Sequence, residues 1–114
     1  MPMQNADLLQ KKCVPCEVGM PPLSATHAQE LARAIPQWTL VPEATSINRE
    51  WKLKDFKAAM QFVNQVADIA EREGHHPDIS VWYNKVKLEL STHAIHGLSE
   101  NDFIVAAKVD ALQK

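Results

Sequence analysis

Between Ile47 and Leu90 the hydrophobic period of the chain changes twice, and this change restricts the fold more than any other feature of the sequence. Ile47, Trp51 and Leu53 fall on one side of an extended segment, with Asn48, Glu50 and Lys52 on the other. That is period two, a strand with one solvated face. Phe56, Ala59, Met60, Val63, Val66, Ala67 and Ala70 then recur at three- and four-residue steps, which predicts an amphipathic helix. Gly74 is a natural left-handed terminator for it. Period two returns in Ile79, Val81 and Tyr83 and again in Val86, Leu88 and Leu90, with Asn84-Lys85 expected as the tight turn between them. Upstream, 38–41 reads as a strand stopped at Pro42, and Glu43-Ala44-Thr45-Ser46 is short enough to join it to 47–53 as a hairpin.

Helices flank these strands. Ser24 or Thr26 can cap a short helix whose apolar face is Leu31, Ala34 and Ile35, and Pro36 ends it by removing a donor. Ser99-Glu100-Asn101-Asp102 opens a last helix with Phe103, Ile104, Ala107 and Leu112 as its apolar positions. The order α-β-β-α-β-β-α predicts an α+β fold, a four-stranded antiparallel sheet with helices packed on one face. One domain is expected over 24–114. Residues 1–23 hold Pro2, Pro15, Pro21, Pro22 and Gly19 without sustained periodicity, so a poorly ordered arm is expected there. An open sheet leaves edges, which favours self-association. Phe62 and Ile69 lie off the main helical stripe, seven residues apart, and suit either the core or a partner subunit.

Charge and composition narrow the function. Twelve Lys and Arg against fourteen Asp and Glu give a formal net charge of −2, which argues against binding nucleic acid through its phosphates. No stretch approaches the roughly 18 apolar residues of a membrane span. Met1 to Lys12 lacks the apolar region of a secretory signal, and there are two cysteines, so a reducing cytoplasm is expected.

The chemistry-bearing residues cluster. His75, His76, His93 and His96, four of the five histidines, fall within 22 residues. All four lie in connections, and the 79–92 hairpin returns the chain to the side it left. Both histidine-bearing loops can therefore meet at one end of the sheet, where sites are commonly built. Histidine exchanges protons near neutrality, with an unperturbed pKa of roughly 6.5, and two histidines in opposite protonation states can donate and accept in one reaction. Glu71 lies one turn before His75, at the negative end of the helix dipole, and is placed to accept a hydrogen bond from His75. Asp102 stands three residues after Ser99, the spacing of a capping box, a role compatible with a carboxylate that also points into the cleft. Cys13-Val14-Pro15-Cys16 has C-x-x-C spacing, but it lies in a proline-rich arm with no second C-x-x-C. A His/Cys metal centre remains a minor alternative and no metal is expected. There is no glycine-rich phosphate loop, G-x-S-x-G elbow or H-E-x-x-H motif.

Glu71-x3-His75-His76-Pro77, followed by Tyr83, His93 and Asp102 at these intervals, resembles the signature of the pterin-4a-carbinolamine dehydratases. Lys54-Asp55-Phe56, Tyr83-Asn84-Lys85-Val86, Leu90-Ser91-Thr92-His93 and Gly97-Leu98-Ser99-Glu100 are similar as well, and the resemblance runs from about Leu23 to about Asp110. It implies a hydro-lyase that converts 4a-hydroxytetrahydropterin to quinonoid dihydropterin and water without a metal or organic cofactor. It also implies dimers or dimers of dimers. The implied catalytic residues are His75, His76 and His93, supported by Glu71 and Asp102, with Trp38 and Pro77 contacting the pterin. The implied context is recycling of the pterin cofactor of an aromatic amino acid hydroxylase, itself a candidate partner. The family also contains proteins that act as dimerisation cofactors of a transcription factor, so a protein-binding module working through its helix face is the alternative.

Overall fold

The computed structural model describes residues 5–14 and 20–113. The helices are α1 (Asn5–Gln10), α2 (Ala25–Ala32), α3 (Phe56–Glu73) and α4 (Glu100–Asp110), and the strands are β1 (Thr39–Leu40), β2 (Ile47–Lys52), β3 (Asp78–Trp82) and β4 (Lys85–Leu90). All pairings are antiparallel and the strand order is β1-β2-β4-β3. This is the expected α+β arrangement. Among the described residues, no helix is long and apolar enough to cross a membrane.

Local chemistry sets the helix limits. The Ser24 hydroxyl accepts the His27 amide at 3.1 Å and starts α2. The Asp55 carboxylate accepts the Ala58 amide at 2.8 Å and starts α3. Gly74 ends α3 at φ 66°, and its amide donates to the Ala70 carbonyl.

The core forms where one face of the sheet meets the helices. Ile47, Trp51, Val86, Leu88 and Leu90 point from β2 and β4 into that layer and are buried. Asn48, Glu50, Lys85 and Lys87 occupy the alternate positions and are exposed or half-buried. The Phe62 ring of α3 packs on Trp51 with centroids 4.8 Å apart, and Trp38 meets Trp51 edge-on at 5.6 Å. Helix α4 is buried from Asn101 to Ala107 and again at Val109, because α1, α2 and α3 all pack against it. That enclosure explains why its apolar residues run almost without a polar stripe.

Four features differ from the sequence reading. The face of α3 that enters the core is Ala59, Phe62, Val66, Ile69 and Ala70, while Phe56 is half exposed. Phe62 and Ile69 are therefore core residues, because the sheet presents Trp51 opposite Phe62. The β3–β4 turn is Tyr83-Asn84 rather than Asn84-Lys85, since Lys85 already pairs with Trp82. The Asn84 carbonyl accepts the Leu53 amide at 2.7 Å and its side chain donates to the Leu53 carbonyl at 3.1 Å. This shift puts Tyr83 at φ 49° in the turn, 67% exposed and outside the core. The arm expected over 1–23 contains α1, whose Leu8 is fully buried against the domain. Lastly, Arg49 shares the core side of β2 with Ile47 and Trp51, paired to Asp110 at 2.7 Å and stacked 4.7 Å over the Trp51 ring.

Candidate active site

Two chain reversals build the site. At the end of α3 the left-handed Gly74 turns the chain, and the His75 amide bonds back to the Ala70 carbonyl at 3.2 Å. At the end of β4, Thr92 and Gly97 pair across a loop, with the Thr92 amide donating to the Gly97 carbonyl at 2.7 Å. The enclosed residues His93–Ile95 form one 3-10 turn. Gly97 is needed there because a Cβ would lie 2.7 Å from the Cβ of Pro22.

Between the reversals lies a cleft of about 500 Å³, lined in part by His75, His76, His93, Thr92 and Glu73. The volume is in the range of small-molecule pockets. The structure thus brings together three of the four histidines singled out from the sequence. His96 is not on this wall and sits at φ 55° just after the 3-10 turn.

Asp102 organises the cleft from beneath. It is fully buried, and its Oδ1 lies 2.6 Å from His75 Nε2. Its Oδ2 accepts the Thr92 hydroxyl at 2.8 Å and the Ser99 amide at 3.0 Å. The carboxylate therefore caps α4 and holds His75 at once, with one oxygen for each task. A carboxylate only accepts, so the bond fixes the Nε2–H tautomer of neutral His75 and leaves Nδ1 as the basic nitrogen.

Glu71 bonds His76, not His75, at 2.7 Å. The turn at Gly74 sends His75 inward to Asp102 and leaves His76 outside, one turn above Glu71. Both members of the outer pair are well exposed, so solvent screens it. Trp38 is absent from the cleft. It is 5% exposed, and its Nε1 donates to Asp110 at 2.9 Å, which makes it a core residue below the sheet. Pro77 is half-buried next to His76 but is not part of the cleft lining.

The sequence reading missed one wall. Cys13, Val14 and Asn101 also line the cleft. The Cys13 amide donates to Glu73 Oε1 at 2.9 Å, and Lys108 holds Glu73 Oε2 at 2.7 Å. Burial pushes the Glu73 carboxyl up, but the bonds from Lys108 and from the Cys13 amide outweigh it and hold the group below its ordinary range. Burial, reinforced by the Glu73 carboxylate, pushes the Cys13 thiol up to about 12. Nothing in the spacing of residues 5–14 signals this placement. Cys16 lies outside the described residues. Among the described residues, no three His, Cys, Asp or Glu side chains are grouped to hold a metal ion.

The profile of the family described as pterin 4 alpha carbinolamine dehydratase matches residues 21–112. The chain belongs to this dehydratase family. A Nitrosospira multiformis protein that carries the dehydratase name is 51% identical over 106 residues, which span 93% of this chain and 92% of the relative. The Arabidopsis thaliana protein named pterin-4-alpha-carbinolamine dehydratase 2, mitochondrial, is 46% identical over 95% of this chain and 60% of its own length. A Brucella melitensis crystal structure described as a transcriptional coactivator/pterin dehydratase superposes with a TM-score of 0.76 at 35% identity, covering 82% of this chain and 99% of that one. The family match covers both histidine loops, α3 and α4, and leaves most of the wall at Cys13 and Val14 outside it.

Proposed function

We propose that this protein dehydrates a 4a-hydroxytetrahydropterin to the quinonoid dihydropterin, using histidines as acid and base. The observation that carries the reading is the 2.6 Å bond between His75 and buried Asp102 in a cleft shared with His76 and His93, in a chain of the dehydratase family.

The reaction breaks the C4a–O bond and removes the proton from N5. The N5 electron pair forms the N5=C4a double bond as the hydroxyl leaves, and hydroxide is a poor leaving group unless protonated. His75 is the base in this scheme, because Asp102 occupies its Nε2 and directs the free lone pair of Nδ1 to the cleft. His93 stands on the other reversal and delivers the proton that makes the leaving group water. The proton gained at His75 returns to His93 through solvent, which closes the cycle. His76, held by Glu71 at the cleft mouth, orients the pterin. Each such proton transfer is worth about 10²–10⁴-fold. The physiological role is recycling of the pterin cofactor of an aromatic amino acid hydroxylase, and the protein works as a dimer or tetramer in the cytoplasm.

The test is the decay of 4a-hydroxytetrahydropterin followed spectrophotometrically. The protein accelerates it, and His75→Ala or His93→Ala removes most of the gain. Two folded variants with full activity would discard the proposed roles. Phe62 and Ile69 are buried in the core of this chain, so the alternative, a protein-docking module acting through its helix face, would use other residues of that face.

A further inference from the structure

We infer that residues 11–14 are a built wall of the ligand cleft and that Val14 packs on the face of the bound heterocycle. This inference rests on the proposed dehydration and extends it to a segment that precedes the residues matched by the family profile.

The wall is fixed at several points. Leu8 roots it in the core. Lys11 pairs with Glu100 at 2.7 Å. The Cys13 amide is held by Glu73, whose side chain is only 6% exposed and is itself tied to Lys108. Val14 is gripped on both backbone polar groups by one side chain. Its amide donates to Asn101 Oδ1 at 3.0 Å, and Asn101 Nδ2 donates to its carbonyl at 2.6 Å. Asn101 is 4% exposed and directly precedes Asp102. The strap is thus moored one residue from the carboxylate that holds His75, and Glu73 moors it two residues before His75.

Yet the valine whose backbone is so held is 64% exposed and borders the cleft. Ordering a backbone costs conformational entropy, and here no burial of the valine offsets it in the free protein. A flat ring entering the cleft would recover that loss. Valine is stiff at χ1, so little further freedom is lost on contact. Around Val14 the cleft offers histidines, hydroxyls and a carboxylate, and the valine supplies an apolar surface that a planar bicyclic ring requires.

The test measures 7,8-dihydropterin affinity by fluorescence titration alongside dehydration kinetics. Val14→Ser weakens the affinity and raises KM by about tenfold, the scale of a lost apolar contact in a pocket, and lowers kcat less than twofold. Asn101→Ala shifts KM in the same direction and speeds hydrogen exchange at the Val14 amide. Should Asn101→Ala fail to fold, Val14→Ser, being exposed, decides the matter alone. Dihydropterin affinity within twofold of the parent in Val14→Ser overturns the inference while the dehydration stands. A parent that neither binds dihydropterin nor accelerates dehydration overturns both.

Discussion

His75 and Asp102, 27 residues apart in sequence, meet at 2.6 Å through a carboxylate with no solvent exposure. The same carboxylate caps the helix that forms the centre of the core, so the site and the fold share one group. Asp102→Asn separates the two roles. The amide oxygen can still accept from the Ser99 amide, whereas the amide nitrogen can only donate toward His75 and so selects the wrong tautomer. The expected result is a kcat reduced by about 10²-fold or more with a folded protein. Circular dichroism and the dehydration assay on one sample check both halves.

Thr92 is the second support of Asp102. Its hydroxyl reaches Asp102 Oδ2 and lies 2.8 Å from the Ser99 hydroxyl, and the residue is 5% exposed. Thr92→Val keeps the shape and removes the donor. The loss is about 1–3 kcal/mol, and a melting curve reads it as roughly 4–8 °C per kcal/mol. Activity falls as well, because Asp102 is then free to turn away from His75.

How much of this was legible in the sequence depends on the range of the interaction. Hairpins, caps and the α3 terminator are written in neighbouring residues, and they predict four strands and the three family helices. The three cleft histidines were legible for the same reason, since each lies in a connection that follows a recognisable helix or strand. The partner of each histidine was not. Glu71 is one turn from both His75 and His76, and only the left-handed turn at Gly74 decides between them. Trp38 follows a short helix in a position that suits a binding wall, but the half-buried Asp110 draws its indole nitrogen inward. The strap at Cys13 and Val14 depends on Glu73 and Asn101, 60 and 87 residues away, and no local pattern encodes such contacts.

Cys13 should behave as an inert thiol. With its proton held until about pH 12 by burial and by the nearby Glu73 carboxylate, almost no thiolate exists at neutral pH. Iodoacetamide at pH 7.5 leaves Cys13 largely unmodified in the native protein and labels it after denaturation. Peptide mass spectrometry distinguishes it from Cys16. Rapid native labelling would show that the strap leaves the domain in solution.

Glu73 links the strap to acidity. Its carboxyl is held below its ordinary value in the folded protein, so the stability it contributes is fully present above the ordinary carboxylate range. That contribution is lost as pH falls through the lower folded value, when the carboxylate gains a proton and releases Lys108 and the Cys13 amide. Hydrogen exchange at the Cys13 and Val14 amides should therefore accelerate, beyond the intrinsic pH dependence, as pH falls from 6 to 3. Glu73→Gln shows the faster exchange already at pH 6 and a much flatter pH profile. A parent and variant that differ equally at both ends of the range would remove Glu73 as the acid-sensitive tie.

Phe62 distinguishes a core residue from a docking surface. It is 2% exposed and its ring lies 4.8 Å from Trp51, which Trp38 meets edge-on and Arg49 covers. Phe62→Ala leaves a cavity at the junction of sheet and helix and costs about 3–5 kcal/mol. A docking residue would cost almost nothing in the isolated chain and would instead weaken a complex. Chemical denaturation at several protein concentrations separates the two. Loss of stability that is independent of concentration places Phe62 inside one chain, and a loss that vanishes on dilution assigns it to an interface.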